Sequence, residues 1–286
     1  MLLAKSADTN GNQESLLEHS RKVAIMAELL YKRLPPCVRS SDGLDKDLQA
    51  AALLHDIGKA ASGFQEVLLG KRKDWNGWRH EVLSAAFASK LGLAEEVVFA
   101  VLTHHRQIPG QAIDEFGGRL RWHDGLPEDW SRLLDDWSRN EANVLEFWRQ
   151  LCEFAGRRDL LADANARVNS IKLDPAWLDY KLFRRQRKYI TSERRLRASL
   201  LRGLLISADH LSSGGIETLP PIVNFKGFSP KFDLRDFQRN CARPGNLILR
   251  APTGSGKTEA ALVWAGVNQP ENGRFFYTLP YTAALN

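Results

Sequence analysis

The chain has 286 residues, of which 43% are hydrophobic and 26% charged, the balance of a folded globular protein with room for one large domain or two smaller ones. Collagen, coiled-coil and low-complexity classes are excluded. Forty basic residues against thirty-four acidic ones leave a formal charge of +6, a mild excess that is compatible with a polyanionic partner. Cys37, Cys152 and Cys241 are odd in number and far apart, so they form neither a disulfide framework nor a CxxC metal pattern. No run approaches the ~18 apolar residues of a membrane span, and Met1 to Gln13 lacks the apolar core of a signal peptide. The expectation is a cytoplasmic protein with no membrane partner.

In chain order, Glu14 to Leu34 places Leu16, Leu17, Val23, Ile25, Met26, Leu29 and Leu30 on one broad apolar face, and Pro35-Pro36 is expected to end that helix. Asp47 to Ile57 reads as a buried Ala- and Leu-rich helix that turns at Gly58. Further helical patterns cover His80 to Leu91, Glu95 to His105, Asp129 to Phe154 and Arg194 to Leu211, with no internal repeat. Lys181 to Arg202 carries Lys181, Arg184, Arg185, Arg187, Lys188, Arg194, Arg195, Arg197 and Arg202 against Glu193 alone, a positive stripe suited to phosphate contact.

Character changes at Ser212-Ser213-Gly214-Gly215, followed by Pro220-Pro221 and Pro230. This reads as a linker over 213–230. Beyond it, a strand at Asn246 to Arg250, a helix at Gly256 to Val267 and a strand at Phe275 to Leu279 predict the beta-alpha-beta order of a parallel sheet. The expected organisation is a mainly α bundle over 1–212 and the truncated start of an α/β, RecA-like domain over 231–286.

The chemistry-bearing residues lie in the bundle. His55-Asp56 sets two metal-ligand types side by side at the end of an apolar helix, where a buried carboxylate is costly unless it is paired or metal-bound. His19, His80, the pair His104-His105 and Asp209 are the further candidates. Lys59 follows Asp56 and His55 by three and four residues, so a continuing turn puts it on their face, within reach of a substrate phosphate.

The order His, His-Asp, His, His-His, Asp over Leu16 to Leu211 resembles the HD phosphohydrolase superfamily. That resemblance implies a helical bundle converging on one or two divalent metals that activate water against phosphorus. His19, His55, Asp56 and Asp209 would hold one ion, and His80, His104 and His105 a second, with Asp56 bridging. Imidazole-rich ligation implies manganese, iron, cobalt or nickel over magnesium. The contexts LLHDIGKA with Phe64-Gln65, RHEVLSA around His80, THH at 103–105 and SADHL at 207–211 resemble, more narrowly, the HD nuclease domain of the CRISPR-associated nuclease-helicases of type I systems. His123 and His210 fall outside the pattern; His123 reads as a loop residue and His210 as one that packs or supports the ligands.

Ala251 to Thr258 (APTGSGKT) follows the predicted strand and opens the predicted helix, the context of a P-loop: Gly254 and Gly256 shape the turn, Lys257 reaches phosphates and Thr258 holds magnesium. Ala251 replaces the first glycine of the strict pattern, as in superfamily 2 helicases. Phe237-Gln238 resembles their adenine-reading motif and Leu279 to Asn286 their strand-contacting segment. No aspartate follows Asp236, so the acidic box of such a motor is missing and the chain is expected to be the N-terminal part of a longer protein.

The combined expectation is a metal-dependent nuclease for single-stranded DNA, with His55, Asp56 and Lys59 in catalysis and Arg184, Arg185, Arg187 and Lys188 on the DNA. In the full-length protein it would be coupled to a helicase using ATP and magnesium, and recruited by a Cascade-type RNA-guided complex. The alternatives are an HD-type nucleotide phosphohydrolase or cyclic-nucleotide phosphodiesterase, and a docking module with a degenerate pocket.

Overall fold

Helix α1 (Leu16–Lys32) begins where the Ser15 hydroxyl accepts the amide of Glu18, satisfying a donor that the first turn leaves free. Its buried side chains, Leu16, His19, Ser20, Val23, Ala24, Met26 and Ala27, recur at steps of three and four and so form one stripe. Past its end Pro36 opens the short helix α2 (Pro36–Arg39), at a position where the missing amide hydrogen costs nothing. Helix α3 (Leu44–Leu54) leads through His55 and Asp56 into a 3-10 turn, Ile57–Ala60, and then α4 (Ser62–Leu68).

Helices α5 (His80–Lys90) and α6 (Glu95–Thr103) are buried along almost their whole length, from His80 to Ala88 and from Glu96 to Thr103. They form the centre of the bundle. Helices α7 (Trp130–Arg139), α8 (Glu141–Ala155) and α9 (Ser192–Ser213) complete it. On α9 the buried stripe is Ala198, Leu201, Leu205, Ala208, Asp209 and Ser212, again helical in period. Helix α1 packs on α3 and α9, α9 also on α6 and α3, and α5 on α6 and the 3-10 turn. Burying each Leu, Val, Met or Phe along these contacts contributes roughly 1.5–3 kcal/mol.

The computed structural model describes residues 1–7, 11–76, 78–105, 130–161, 191–221, 225, 228, 233–270, 273 and 275. They fall into two compact units, Met1–Thr218 and Leu219–Asn286. Helix α9 runs through Ser213 and is capped at Gly214, with Gly215 at φ +74°, so the expected change of character coincides with a glycine helix stop. The second unit contains α10 (Asp236–Arg239) and α11 (Lys257–Asn268) around a small core of Cys241, Ala260 and Val263. Leu247 and Leu249 pack against that core.

Three expectations need correction. Asn246 to Arg250 is not a strand: among the described residues the sole β-type pairing is a bridge between Leu3 and Ser15. An isolated extended segment makes no ladder, and its expected partner, Phe275 to Leu279, lies outside the described residues except for Phe275. The α/β class therefore has no support in the second unit. The helix expected over Asp129 to Phe154 divides at Asn140, whose side chain donates to the Ala60 carbonyl at 2.5 Å. Helix α6 stops at Thr103, leaving His104 and His105 beyond its last turn. No helix among the described residues is long and apolar enough to cross a membrane.

Candidate metal centre

Two ligand candidates interrupt apolar stripes. His19 sits among the buried side chains of α1, and Asp209 among those of α9. The others cluster at helix ends: His55 caps α3, Asp56 leads into the 3-10 turn, His80 is the first residue of α5, and His104-His105 follow α6. Packing α1, α3, α5, α6 and α9 together brings all seven to one place, in two sets. Asp56, His80, His104 and His105 form one, and His19, His55 and Asp209 the other, with the ligating atoms of each set within 4.8 Å of one another.

Asp56, only 1% exposed, stands between the sets. Its Oδ2 lies 3.3 Å from His19 Nε2, 3.4 Å from His55 Nε2 and 2.7 Å from Lys59 Nζ. Its Oδ1 lies 2.9 Å from His80 Nε2 and 3.7 Å from His104 Nε2. Asp209 Oδ1 is 3.3 Å from His19 Nε2. Lys59, expected to face a phosphate, turns its ammonium onto Asp56 and is itself buried.

The histidine ring hydrogen bonds show which group the arrangement fits. His55 Nδ1 stands 2.8 Å from the Ala52 carbonyl and His104 Nδ1 2.6 Å from the Val101 carbonyl. A carbonyl only accepts, so each Nδ1 carries the hydrogen and, in the neutral ring, Nε2 presents a lone pair toward Asp56. A lone pair facing a carboxylate oxygen is repulsive unless a proton or a metal cation lies between them. Consistently, both ring nitrogens of His19, His55 Nε2, His80 Nε2, His104 Nε2 and Asp56 Oδ1 are buried without a hydrogen-bond partner. The residues present therefore fit a divalent transition metal, whose affinity for imidazole and carboxylate matches this donor set.

The electrostatics separate the two sets. Burial opposes charge on His19, but Asp209 and Asp56 outweigh it and hold its pKa up at about 9. Burial likewise opposes ionisation of Asp56, yet the His55 ring and the Lys59 ammonium hold the carboxyl well below the usual range. Asp209 is also lowered, against its burial, by His19 and His55. In the other set burial pushes His80 down, and burial together with the neighbouring His104 and His80 pushes His105 down to about 3. Those imidazoles are neutral, ready-formed donors.

The turn bearing Asp56 and Lys59 is held from three sides. The Gly58 amide donates to Ser84 Oγ at 2.9 Å, the Lys59 carbonyl accepts from Gln65 Nε2 at 2.7 Å, and the Ala60 carbonyl accepts from Asn140. Gly58 passes so close to α5 that a Cβ there would lie 2.0 Å from the His80 carbonyl oxygen. Sequence reasoning did not single out Ser84 or Asn140, because a serine or asparagine in a helix reads as a surface residue. It also missed Glu14 and Glu81, whose Oε2 atoms each face the Nδ1 of His19 and His80 at 3.5 Å. An acid beside a helix N-terminus reads as a partner of the helix dipole, and that hid them.

Arg184, Arg185, Arg187 and Lys188, and His123, lie outside the described residues. Within the described part of the basic run, Arg194 pairs with Glu95 and Glu96, Arg197 with Asp47, and Arg202 donates to Thr103, so these three bind helix to helix. His210 is exposed on α9, contrary to the expectation that it packs.

In the second unit Gly254 and Gly256 take φ of +74° and +90°, and Gly256 caps the start of α11, where Lys257 and Thr258 begin the helix. Lys257 Nζ folds back onto the Ala251 and Pro252 carbonyls at 3.0 and 2.7 Å. Gln238 is buried and donates to the Gly256 carbonyl at 2.9 Å, while its oxygen accepts the Arg235 amide. Beside the loop is a cleft of about 450 Å³ lined by Arg235, Phe237, Leu249, Arg250 and loop residues.

Residues 16–146 match the family model of the HD domain; Asp209 lies beyond that stretch. The chain is similar to Ribonuclease Y of Borrelia garinii subsp. bavariensis, 30% identical over 103 residues, covering 35% of this chain and 17% of that protein. It is similar to Ribonuclease Y of Oleidesulfovibrio alaskensis, 31% identical over 133 residues, 43% of this chain and 22% of that protein. It is also similar to the CRISPR-associated nuclease/helicase Cas3 of Methanothermobacter thermautotrophicus, 26% identical over 285 residues, 84% of this chain and 33% of that protein. The chain thus spans between about a sixth and a third of the length of these relatives. No solved structure matches. With its helical bundle and convergent His/Asp cluster, the chain carries an HD domain, the domain of metal-dependent hydrolases.

Proposed function

We propose that this chain is a metal-dependent phosphodiesterase that cuts single-stranded DNA and acts in CRISPR interference within a longer nuclease-helicase. The observation that carries the hydrolytic part is the pair of His/Asp sets meeting at Asp56, with four Nε2 atoms directed at one carboxylate. His19, His55 and Asp209 would hold one ion, and His80, His104 and His105 another, with Asp56 shared between them. Bound there, a divalent transition metal supplies a Lewis acid for the phosphate and lowers the pKa of water. The chain's own residues do the rest: Asp56 gathers the donors, and Lys59 balances its charge and stands 2.7 Å away, poised to exchange that partner for a substrate phosphate.

DNA is favoured as substrate by the breadth of the similarity. The match to the nuclease/helicase covers 84% of this chain, whereas the Ribonuclease Y matches cover 35% and 43%. The wider match fits a glycine-rich loop at the head of α11 that would serve ATP, with magnesium, in the longer protein; Gly254, Gly256, Lys257, Thr258 and Gln238 are its residues. Arg184, Arg185, Arg187 and Lys188 are proposed as the DNA track, and a Cascade-type complex as the recruiting partner. The Ribonuclease Y matches favour a second reading, RNA as substrate for the same centre.

Incubating the manganese-loaded chain with circular single-stranded DNA, with RNA of the same sequence and with cyclic nucleotides decides among these. The expected result is cleavage of the DNA circle, lost by at least a hundredfold in His55→Ala and Asp56→Ala with the helical circular dichroism unchanged. Cleavage of RNA or of cyclic nucleotides alone would overturn the DNA reading, and a wild-type rate in Asp56→Ala would overturn the centre itself.

A further inference from the structure

Of the seven candidate ligands, His105 is exposed and the other six are buried. A substrate phosphate therefore meets the Asp56/His80/His104/His105 set first. Two further rings stand against His80 there: His105, with centroids 5.1 Å apart, and Phe64, at 5.4 Å. Phe64, on α4, is the partly exposed member of an aromatic group whose other members, Trp75 and Trp78, are buried. Its ring meets that of Trp75 at 5.2 Å and 78°, and that of His80 at 64°. Both are T-shaped contacts, so neither neighbour lies flat on Phe64.

The ring is fixed from behind by Asp136, which is 2% exposed. Its Oδ2 accepts from Trp75 Nε1 at 2.8 Å and from Arg72 at 3.4 Å, and Arg139 lies 3.1 Å from Oδ1. Ser62 Oγ donates to the Asp136 main-chain carbonyl at 3.0 Å. Gly63 passes so close that a Cβ there would lie 2.1 Å from Asp136 Oδ2. The two residues before Phe64, and the indole beside it, are thus held on one buried residue. An apolar filler beside His80 needs no such anchor and would be sunk out of water. Phe64 is anchored and keeps part of its ring open.

We infer that Phe64 is a base-stacking subsite of the centre: with a phosphate of a single strand at the His80/His104/His105 position, an adjoining base lies on the Phe64 ring. Every base has a π face, so such a platform accepts any sequence, and a ring held in advance loses little freedom when the base arrives. The platform separates a strand that carries bases from a bare phosphodiester, which a set of metal ligands alone does not do. It also favours single strands, whose bases are free to leave one another. The inference rests on the nuclease reading above and adds a substrate-binding residue to it.

The test has two arms, run on wild type, Phe64→Leu, Phe64→Tyr and the control Phe154→Leu, whose ring is exposed on α8. Leucine keeps an apolar side chain against Trp75 and His80 and removes the π face; tyrosine keeps both. In the first arm the manganese-loaded chain cuts oligothymidylate, or an oligomer of the same length in which stable abasic sugars replace every nucleoside. Each variant is scored by the ratio of its two kcat/KM values. The ratio should fall roughly tenfold in Phe64→Leu, within what one stacked base is typically worth, and hold in Phe64→Tyr and Phe154→Leu. In the second arm the chelator-stripped chain, which leaves the strand whole, is irradiated with oligothymidylate carrying 5-iodouracil, a base that cross-links to the ring it stacks on. Mass spectrometry should place the bond at Phe64. No cross-link at Phe64 overturns the inference, whatever the chain cuts. A ratio that Phe64→Leu leaves unchanged, even with both rates lowered, also overturns it, since the ring then acts only through His80. A wild type that cross-links at Phe64 and cuts neither oligomer overturns the nuclease reading and leaves the subsite standing.

Discussion

At His19 a proton and a metal compete for the same nitrogen. Its pKa of about 9 lies above the ordinary value, so without metal the protonated ring adds stability that is fully present below pH 6.5 and is lost as the pH rises through about 9. A metal must displace that proton. Affinity at the His19/His55/Asp209 position should therefore rise by roughly tenfold per pH unit between pH 7 and 9. His105 at about 3 and the lowered His80 have no proton to lose in that window, so the other position should stay flat there. Calorimetric titration with manganese in buffers of different ionisation enthalpy measures both quantities; a position whose uptake releases no proton at pH 7.5, for both ions, would sink the argument. The clustering of these candidate residues was legible in the sequence because His-Asp at the end of an apolar helix has no inexpensive packing role. The close approach at Gly58 was not: glycine after a helix reads as a stop, and only the fold reveals the His80 carbonyl oxygen 2.0 Å from where a Cβ would stand. Gly58→Ala should cost about 1–3 kcal/mol or more through backbone displacement, and should weaken metal binding with it. A urea midpoint equal to wild type would show that the turn has slack.

Between elements, the polar contacts decide the register that apolar stripes leave open. Helices α1, α5, α6 and α9 were readable in the sequence, α1 with a one-sided apolar stripe. The break at Asn140 was not, because its cause is a hydrogen bond to Ala60, eighty positions away. The basic run before Asp209 carried a related ambiguity, since composition does not distinguish a free cation from one held in an ion pair. Arg194 on α9 donates to Glu96 at the start of α6 at 2.6 Å. Glu96 has its pKa lowered: burial opposes that shift and the Arg194 guanidinium outweighs it. A lowered carboxylate stabilises the fold above its ordinary pKa near 4.5, and the contribution disappears as the pH falls through its folded value. Glu96→Gln should therefore be less stable than wild type at pH 7 by about 1 kcal/mol or less, given the partly exposed pair. The gap should close below pH 4. Urea midpoints across pH 3–7 check this, and a gap that persists at pH 3 would assign the loss to packing.

Across the whole molecule the question is whether the two units respond separately. Every candidate ligand lies within Met1–Thr218, while the second unit, Leu219–Asn286, has its own small core around Cys241, Ala260 and Val263. The tail was legible only as a motif: glycines at positive φ before α11 match the spacing of a phosphate loop, but a strand needs a partner and Asn246 to Arg250 has none among the described residues. A ligand that binds only the folded state stabilises what contains its site, by about 2.7 kcal/mol at a hundredfold excess over its dissociation constant. Manganese should therefore raise the melting of the helical unit by several degrees and leave that of the second unit in place. Tryptophan fluorescence mixes the signals of both units, so calorimetry is the suitable readout. Asp209→Ala should abolish the manganese shift, and Lys257→Ala should leave it intact, because among the described residues Lys257 Nζ meets the loop carbonyls of Ala251 and Pro252. If one cooperative transition moves as a whole with manganese, the two units fold as one, and substitutions in the loop should then be felt at the metal centre as well.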